Sequence, residues 1–395
     1  MKIDWADTHM PTLNMIAEVY TREQRFSGLN IGLVLHLEAK TAVLASKIQA
    51  AGAHVFVAAS NPLTTQDDVV SALTPVVSGI FAKRGESAEE YKDSIRKVLL
   101  AKPDFLIDDG ADAIALSHTL GVNSVKGACE ETTTGIVRVR AMERKRVLRY
   151  PVLGVNDAFT KHLFDNRYGT GQSSVDGLLR ATNLLIAGKK VLVVGYGWVG
   201  KGIAMRLRGL GARVAVSEVD PVKAIEAYME GFDIMRSIQA VKNADIVVTA
   251  TGDKHVIGEK HLKAAKEGAI FANAGHFNVE IDMDYLETHS LEKREVRPNV
   301  TEYTLPGPHK IYVLADGRLV NLVAADGHPV EVMDLSFSAQ FLGLSYLIES
   351  HERLPRALVP YPRDLDLKIA RAFLHAHKFR LDRLTKEQRG YMRSF

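Results

Sequence analysis

The sequence predicts an α/β protein of two doubly wound parallel-sheet domains, the first of them discontinuous, followed by a short helical C-terminal segment. Three observations carry this. From residue 29, short β-branched apolar runs alternate with helix-length segments, the pattern of a parallel sheet covered on both faces. That alternation is complete before a glycine-rich turn at 195–200 opens a second series. A late apolar stretch, 335–349, then reads as a helix returning to the first series. The expected divisions are 1–166 for the first domain, 167–328 for the second, 329–364 for the return and 365–395 for the C-terminal segment.

The bulk properties bound the rest. A chain of 395 residues, 46% hydrophobic and 25% charged, suits two or three soluble domains. No apolar run approaches the roughly 20 residues of a membrane span. The start, MKIDWADTHM, lacks the basic-then-apolar pattern of a signal peptide. The single cysteine, Cys129, rules out an internal disulfide and argues for a reducing cytoplasm. A net charge of +3 is too small to imply nucleic acid. Residues 351–395 hold 11 Lys/Arg against 5 Asp/Glu, a net of +6, and read as a solvated helical face rather than an RNA-binding tail.

Taken in order, residues 1–28 are an amphipathic helical lead-in with Met10, Leu13, Ile16, Ala17 and Tyr20 at helical spacing. Strands follow at 31–37, 54–59, 79–82 and 105–107, with helices at 38–51, 67–73 and 88–100 and another starting within 130–135. Polar residues close these strands: His36, then Ser60 and Asn61, then Asp108 and Asp109. That is where open α/β sheets bind ligands, although each residue alone could be a cap or turn. A strand at 150–155 ends in Asn156 and Asp157. The polar stretch TKHLFDNRYGTGQSSVDG leads to a helix at 174–187, with 166–171 as the crossing between domains.

The second series opens on a strand at 190–194, the turn Gly195-Tyr196-Gly197-Trp198-Val199-Gly200, a helix at 203–210, a strand at 213–217 and then Glu218. Gly195 permits the tight turn, Gly197 lets backbone reach a pyrophosphate, and Gly200 lets helix pack close on strand. The helix N-terminus offers unpaired N–H groups to phosphates. Glu218 is placed to accept from the adenosine ribose hydroxyls and would repel a 2′-phosphate, so the cofactor expected is NAD rather than NADP. Helices at 222–230 and 238–243 alternate with strands at 245–249 and 269–272, whose end loops border the nicotinamide half. Late strands are expected at 311–314 and 319–322. Helices at 365–377 and in the last dozen residues are too small to fold alone and are expected to dock on a neighbouring protomer.

Ten segments in order resemble the S-adenosylhomocysteine hydrolase family, in its archaeal and thermophilic branch: LHLEAKTAVL, SNPLTTQDD, IDDGAD, CEETTTG, NDAFTKHLFDNRYG, GYGWVGKG, EVDP, NAGHFNVEID, GRLVNL and DGHPVEVMDLSF. The resemblance implies an NAD enzyme with no net redox change: the ribose 3′-hydroxyl is oxidised, the 4′-hydrogen thereby acidified, homocysteine thiolate eliminated, water added and the hydride returned. It implies a substrate domain and a Rossmann NAD domain, a cytoplasmic homotetramer (a dimer of dimers) of the methyl cycle, and purine nucleoside and homocysteine as partners.

Residue by residue, the resemblance places Lys161 and Asp165 at the 3′-hydroxyl, with the lysine's proton affinity lowered by burial or a nearby cationic nicotinamide. It places Glu131 on the ribose hydroxyls, Asp109 and His36 at the 4′-proton and the 5′ leaving group, His276 at the homocysteine end and His328 at the base-side hinge. Glu38, Lys40 and Thr41 fall in the base region. Thr132, Thr133, Thr134, Asn166, Trp198, Val199, Lys223, Ala274, Gly275, His276 and Asn321 join the glycines and Glu218 as cofactor contacts. On the residues alone, Lys161 and Asp165, four apart, read as a surface helix pair; Glu130 and Glu131 as acids at a helix start; His276 and His328 as loop residues. No His/Cys spacing suggests a metal, and none is expected.

Five departures qualify the carry-over. Thr170 stands where many relatives have cysteine, and Trp198 where an aspartate is usual. Lys223 replaces a frequent asparagine. The tail that places a lysine and tyrosine in a neighbour's cofactor site in longer relatives is lacking, which implies looser NAD. Most consequential, HLEAKT has Glu38 and Lys40 where many relatives have Thr and then Glu or Gln. A lysine has only donors and suits the 6-oxo group of hypoxanthine over adenine's 6-amino group. S-inosyl-L-homocysteine is therefore an alternative substrate, against the reading that Lys40 pairs with Glu38 and ignores the base. An ordinary NAD dehydrogenase and a non-catalytic NAD-binding module are the rival functions.

Overall fold

A computed structural model describes residues 1–307 and 309–394; Phe395, the last residue of the expected C-terminal segment, lies outside the described residues. The strands are β1 (Asn30–Leu35), β2 (His54–Ala59), β3 (Gly79–Phe81), β4 (Phe105–Asp108), β5 (Gly127–Glu130), β6 (Val152–Gly154), β7 (Lys190–Val194), β8 (Arg213–Ser217), β9 (Asp233–Ile234), β10 (Ile246–Thr249), β11 (Ala269–Asn273), β12 (Glu292–Arg297), β13 (Val300–Leu305), β14 (His309–Leu314) and β15 (Leu358–Pro360). They form two sheets. One has seven strands in the order β15-β6-β5-β4-β1-β2-β3, all parallel. The other has eight, β12-β13-β14-β11-β10-β7-β8-β9, parallel except for the antiparallel β12/β13 and β13/β14 pairs.

Strict alternation along the strands feeds two layers per sheet. In β4, Phe105 and Ile107 join one core while Leu106 joins another. In β7, Val191 and Val193 face one layer, Leu192 and Val194 the opposite one. The first sheet's inner layer is completed from far along the chain by the 21-residue helix Val330–Ser350, whose Phe337, Phe341, Leu344 and Leu347 pack with Phe105, Ile107, Cys129 and Leu153. Residues 333–345 of that helix are buried without a break, as an element apolar all round must be. Asp334 within it is not an exception. Its carboxylate accepts from the Thr12 and Leu13 backbone N–H groups at 2.9 and 2.8 Å, capping the helix Pro11–Glu23 from a distance.

Strand order reverses between β1 and β4 in one sheet and between β7 and β10 in the other. At such a point neighbouring connections leave on opposite faces and open a crevice at the carboxyl ends. Everything functional below collects at these two places.

Several elements depart from the sequence expectation. The helix expected at 174–187 is Thr170–Thr182, entered through a π-helical turn, Asp165–Gly169, and stopped by Asn183 in the left-handed conformation (φ 53°). The helix after the glycine turn starts at Trp198, not 203, because Gly200 and Gly202 mask its first turns. The helix expected to start within 130–135 does start there, at Thr133, but the short strand β5 before it was not expected. The strand expected at 319–322 is a single bridge from Leu319 to Asn273, after which Val320–Val323 turns helical. The edge pair β12/β13 went unread, since EKREVR is charged and exposed throughout.

The helix Arg363–Ala376, expected at 365–377, is anchored on its own chain. Ile369 is fully buried in its own chain's first core, and Asp366 accepts from the Phe159 N–H (3.1 Å), the Thr160 N–H (2.8 Å) and the Thr160 hydroxyl (2.6 Å). Among the described residues no helix is long and apolar enough to cross a membrane.

Candidate active site

The two crevices open on one another and enclose a cleft of ≈ 990 Å³. From the first sheet, His36 follows β1 and Asp109 follows β4, on either side of the reversal; Glu131 follows β5. From the second, Gly195 and Gly197 follow β7, Thr251 and Gly252 follow β10, and Ala274, Gly275 and His276 follow β11.

The first-sheet wall is made of charged side chains. Lys161 projects from the turn Phe159–His162 into a buried site, its Nζ 3.3 Å from Glu131 Oε1, 3.4 Å from Asp165 Oδ1 and 3.1 Å from Asn166 Oδ1. Both Lys161 and Asp165 are nearly inaccessible, so the reading as a surface helix pair is corrected. So is the expected lowering of the lysine's proton affinity. Burial alone would lower it, but Asp165, Glu131 and Asp109 outweigh burial and hold the ammonium above the ordinary lysine range. Two carboxylates share that cation unequally. Burial raises both, yet Asp165, which also sits 3.2 Å from His328 Nδ1, ends well below its ordinary value. Glu131 ends above its own. Glu131 is held instead by neutral donors, the Ser336 hydroxyl at 2.7 Å and the Gln340 amide at 2.5 Å.

His36 and Asp109 form a second group. Asp109 Oδ2 lies 3.4 Å from His36 Nε2, and Oδ1 lies 3.8 Å from His276 Nδ1. Burial brings the His36 imidazole down to about 4 against the pull of Asp109, so it is neutral at pH 7. Behind them Glu130 accepts from the Gly110, Ala111 and Thr132 N–H groups at 2.9, 3.0 and 3.0 Å, and Asp108 accepts from Ile114 at 2.8 Å. These bonds fix the loops carrying Asp109 and Glu131. At the other end Lys40 Nζ contacts Glu38 Oε2 at 2.7 Å and the Asp326 carbonyl at 2.9 Å. Glu38 is also the N-cap of the helix Ala39–Ala50, accepting from Lys40 and Thr41 N–H groups.

The second-sheet wall is mostly backbone. Gly195 sits at φ +97°, and a Cβ at Gly200 would collide with the Gly195 carbonyl oxygen. A Cβ at Gly197 would meet nothing within 4 Å, so the N-terminus of the helix Trp198–Gly209 faces open space with no side-chain cap. Glu218 accepts from Tyr196 N–H at 2.6 Å, Val219 at 2.7 Å and Asp220 at 3.0 Å, which stiffens the turn. Lys223 is half exposed and 4.0 Å from Asp220. Asn321 donates to the Ser173 hydroxyl at 3.2 Å, while its buried Oδ1 has no partner among the described residues. A glycine cradle with room at a helix N-terminus and a buried acceptor without a partner among the described residues suit a dinucleotide, so these residues fit NAD.

Every site residue assigned through the resemblance lines this cleft except Gly200, which lies beneath it under the helix. Thr132, the N-cap of Thr133–Arg144, lines it with Thr133 and Thr134, and Asn166, Trp198 and Val199 join them. Thr170 bonds His328 Nε2 at 3.0 Å. Sequence reasoning missed Ser336 and Gln340, although polar residues four apart in an apolar helix are a usable signal. It missed Arg138, which donates to the Gly110 carbonyl and Asp112, and Lys201, 4.5 Å over the Trp198 ring. It also missed that His36, Asp109 and His276 converge, since their numbers lie far apart.

Comparison with known proteins was consistent with this geometry. Residues 1–124 match the family model described as S-adenosyl-L-homocysteine hydrolase, and residues 166–327 the model of that family's NAD binding domain. The chain is 53% identical over 394 residues to an adenosylhomocysteinase of Archaeoglobus fulgidus, covering 99% of this chain and 97% of that one. It is 52% identical over 394 residues to an S-inosyl-L-homocysteine hydrolase of Methanocaldococcus jannaschii, covering 99% and 95%. An adenosylhomocysteinase of Thermotoga maritima is 50% identical over 398 residues, covering 100% and 98%. Among solved structures, a dipicolinate synthase from Bacillus halodurans aligns with a TM-score of 0.51 at 13% identity, covering 80% of this chain and 97% of that one; this shows the shared fold alone.

Proposed function

We propose the chemistry of this chain from the premise that it belongs to the S-adenosyl-L-homocysteine hydrolase family: it cleaves the thioether of S-adenosyl-L-homocysteine reversibly, giving nucleoside and homocysteine without net redox change. When bound, NAD supplies a reversible hydride acceptor for the ribose 3′-carbon. The observation that carries the reading is the buried Lys161–Asp165–Glu131 cluster where the two crevices meet.

Lys161 takes the 3′-hydroxyl proton at Nζ. It is a cation as it stands, so it acts as a base only after it has passed its extra proton to Glu131, whose carboxyl is held above its ordinary value and lies 3.3 Å away. Asp165, held by His328, keeps Lys161 aimed. Asp109 handles the proton at the 4′-carbon. Neutral His36 is placed to give and take protons at the 5′ position, where thiolate leaves and water enters. His276 covers the homocysteine end and His328 the hinge. The glycine turn, Glu218 and Asn321 hold the cofactor, with Thr132–Thr134, Asn166, Lys223 and 274–276 around it. Thiol release without accumulating NADH, together with solvent deuterium entering the 4′-carbon of a bound nucleoside, tests the reading. Steady NADH production, or no exchange in fully loaded enzyme, overturns it.

A specific observation favours the hypoxanthine substrate as a second reading. The pairing of Lys40 with Glu38 is present, but it does not make the site suit adenine. Glu38 is already engaged by Lys40 Nζ and two backbone N–H groups, while Lys40 has one N–H beyond its two partners. The pair offers a donor to O6 rather than an acceptor to a 6-amino group. We expect kcat/KM for the inosyl compound to exceed that for the adenosyl compound by ~10-fold or more; the reverse ranking removes this reading.

The divisions 1–166, 167–328, 329–364 and 365–395, the homotetramer, the cytoplasmic site and the methyl-cycle role belong to the same proposal. Light scattering of the purified protein tests the assembly.

A further inference from the structure

We propose that Arg138 binds the α-carboxylate of the homocysteine moiety through the Nε/Nη2 edge of its guanidinium. The proposal deepens the reading given above and rests on it for the identity of the ligand. Arg138 lies on the helix Thr133–Arg144, where Thr134 and Arg138, one turn apart, both line the cleft.

The hydrogen bonds around Arg138 leave one edge of it free. Nη1 donates to the Gly110 carbonyl and to Asp112 Oδ1, the latter at 2.7 Å. Asp112 is itself fixed by the Tyr91 hydroxyl at 2.8 Å. Both hydrogens on Nη1 are thus committed, and the plane of the guanidinium is set from behind. Nε and Nη2 make no hydrogen bond among the described residues, and the side chain is 34% exposed. Their N–H groups form the fork that meets a carboxylate with two parallel bonds.

The position of this fork selects the ligand. Gly110 follows Asp109 directly, and a Cβ on Gly110 would come within 2.6 Å of His276 Nε2, so guanidinium, Gly110 and His276 share one wall. The guanidinium carbon also lies 6.0 Å from the centre of the Phe277 ring, which meets the His276 ring edge-on at 4.7 Å. The other cations of the cleft are placed elsewhere. Lys40 pairs with Glu38 at the base end, Lys161 sits among carboxylates, Lys201 lies over Trp198, and Lys223 is near Asp220. Arg138 is therefore the cation beside the groups assigned to the 5′ position. A nucleoside has no carboxylate to offer it; the amino-acid half of the thioether has one. A fork held for that group favours an α-amino-acid thiol over a thiol lacking the carboxyl group.

The test compares homocysteine with the aminopropanethiol that is homocysteine without its carboxyl group. Calorimetric binding of each to NAD-loaded protein requires no turnover. Homocysteine should bind at least ~10-fold tighter, and Arg138→Gln should abolish that preference. Arg138→Lys should restore only part of it, because an ammonium is a point charge and not a fork. In thioether synthesis Arg138→Gln should raise the KM for homocysteine ~10–100-fold, with the larger effect in KM rather than kcat. Equal binding of the two thiols by the wild-type protein overturns the proposal, and needs no variant to fold. Weakening of both thiols alike in Arg138→Gln, with melting and NAD content unchanged, also overturns it and confines Arg138 to holding the Gly110 loop. A preference for homocysteine that depends on Arg138, without deuterium exchange at the 4′-carbon, would leave this site standing and count against the reaction. Exchange without that preference would do the reverse.

Discussion

The two sheets share one core strand order about their reversal points, yet their crevices are made of different materials. Around β1/β4 the cleft wall is side chains: a buried ammonium, shared carboxylates, imidazoles and the amide and hydroxyl that hold them. Around β7/β10 it is backbone: a positive-φ glycine, a helix start and a turn stiffened by Glu218. The difference follows from what each must handle. A pyrophosphate is recognised by N–H groups, which any sequence has once glycine lets the chain come close. Moving protons at named carbons needs groups that change charge, and those exist only in side chains.

Substitutions can break or sharpen this contrast. Lys161→Met should be the most damaging, lowering kcat by about 10²–10⁴-fold while NAD content of the purified protein stays unchanged. Loss of NAD along with activity would show that the two walls are not separable. Asp165→Asn should cost about 3–5 kcal/mol in urea melts, because it leaves a buried lysine half-paired.

Its pH dependence has a defined sign. Asp165 is lowered in the folded state, so its stabilisation is present above about pH 4 and is lost on acidification below that. Lys161 is raised, so its share is present below about pH 10 and is lost only in strong alkali. The penalty of Asp165→Asn in urea melts should therefore be flat from about pH 5 to about pH 9 and shrink only near the acid end. A penalty that vanishes already at about pH 6 would mean the carboxyl is not held as described.

Gly200→Ala is the matching test of the backbone wall. Its methyl meets the Gly195 carbonyl, so retained NAD should fall at least ~10-fold while far-ultraviolet dichroism is unchanged. Full retention would show the turn can yield. Asp366→Ala is expected to be mildest, about 1 kcal/mol from the lost cap on Phe159 and Thr160, with a few-fold fall in kcat as the Lys161 turn loosens. A stability loss with kcat untouched would confine Asp366 to the fold.

The same contrast explains what could be read from the chain. The second wall was largely legible, because glycine spacing after an apolar run is a local pattern and β7 and β8 match their expected limits. The apolar run of β2 and the amphipathic helix Ala88–Leu100 were legible for the same reason, since each is a local pattern. What failed was non-local. Val320–Val323 turns helical directly after Leu319 bridges to the distant Asn273, and β12 is a charged, exposed edge strand without an apolar pattern. The protonation of Lys161 depends on carboxylates from two other segments, so burial of the lysine alone gave the wrong sign. No window of sequence contains the His36–Asp109–His276 convergence.

Asp366 ties the turn bearing Lys161 to a helix near the end of the polypeptide, and β15 beside it completes the first sheet. During synthesis the amino-terminal strands can pair early, but this lysine's turn lacks its Asp366 cap until residue 366 has left the ribosome. Chemical competence would then arrive among the last steps of biogenesis, and fragments released before that point would be folded in part and inert.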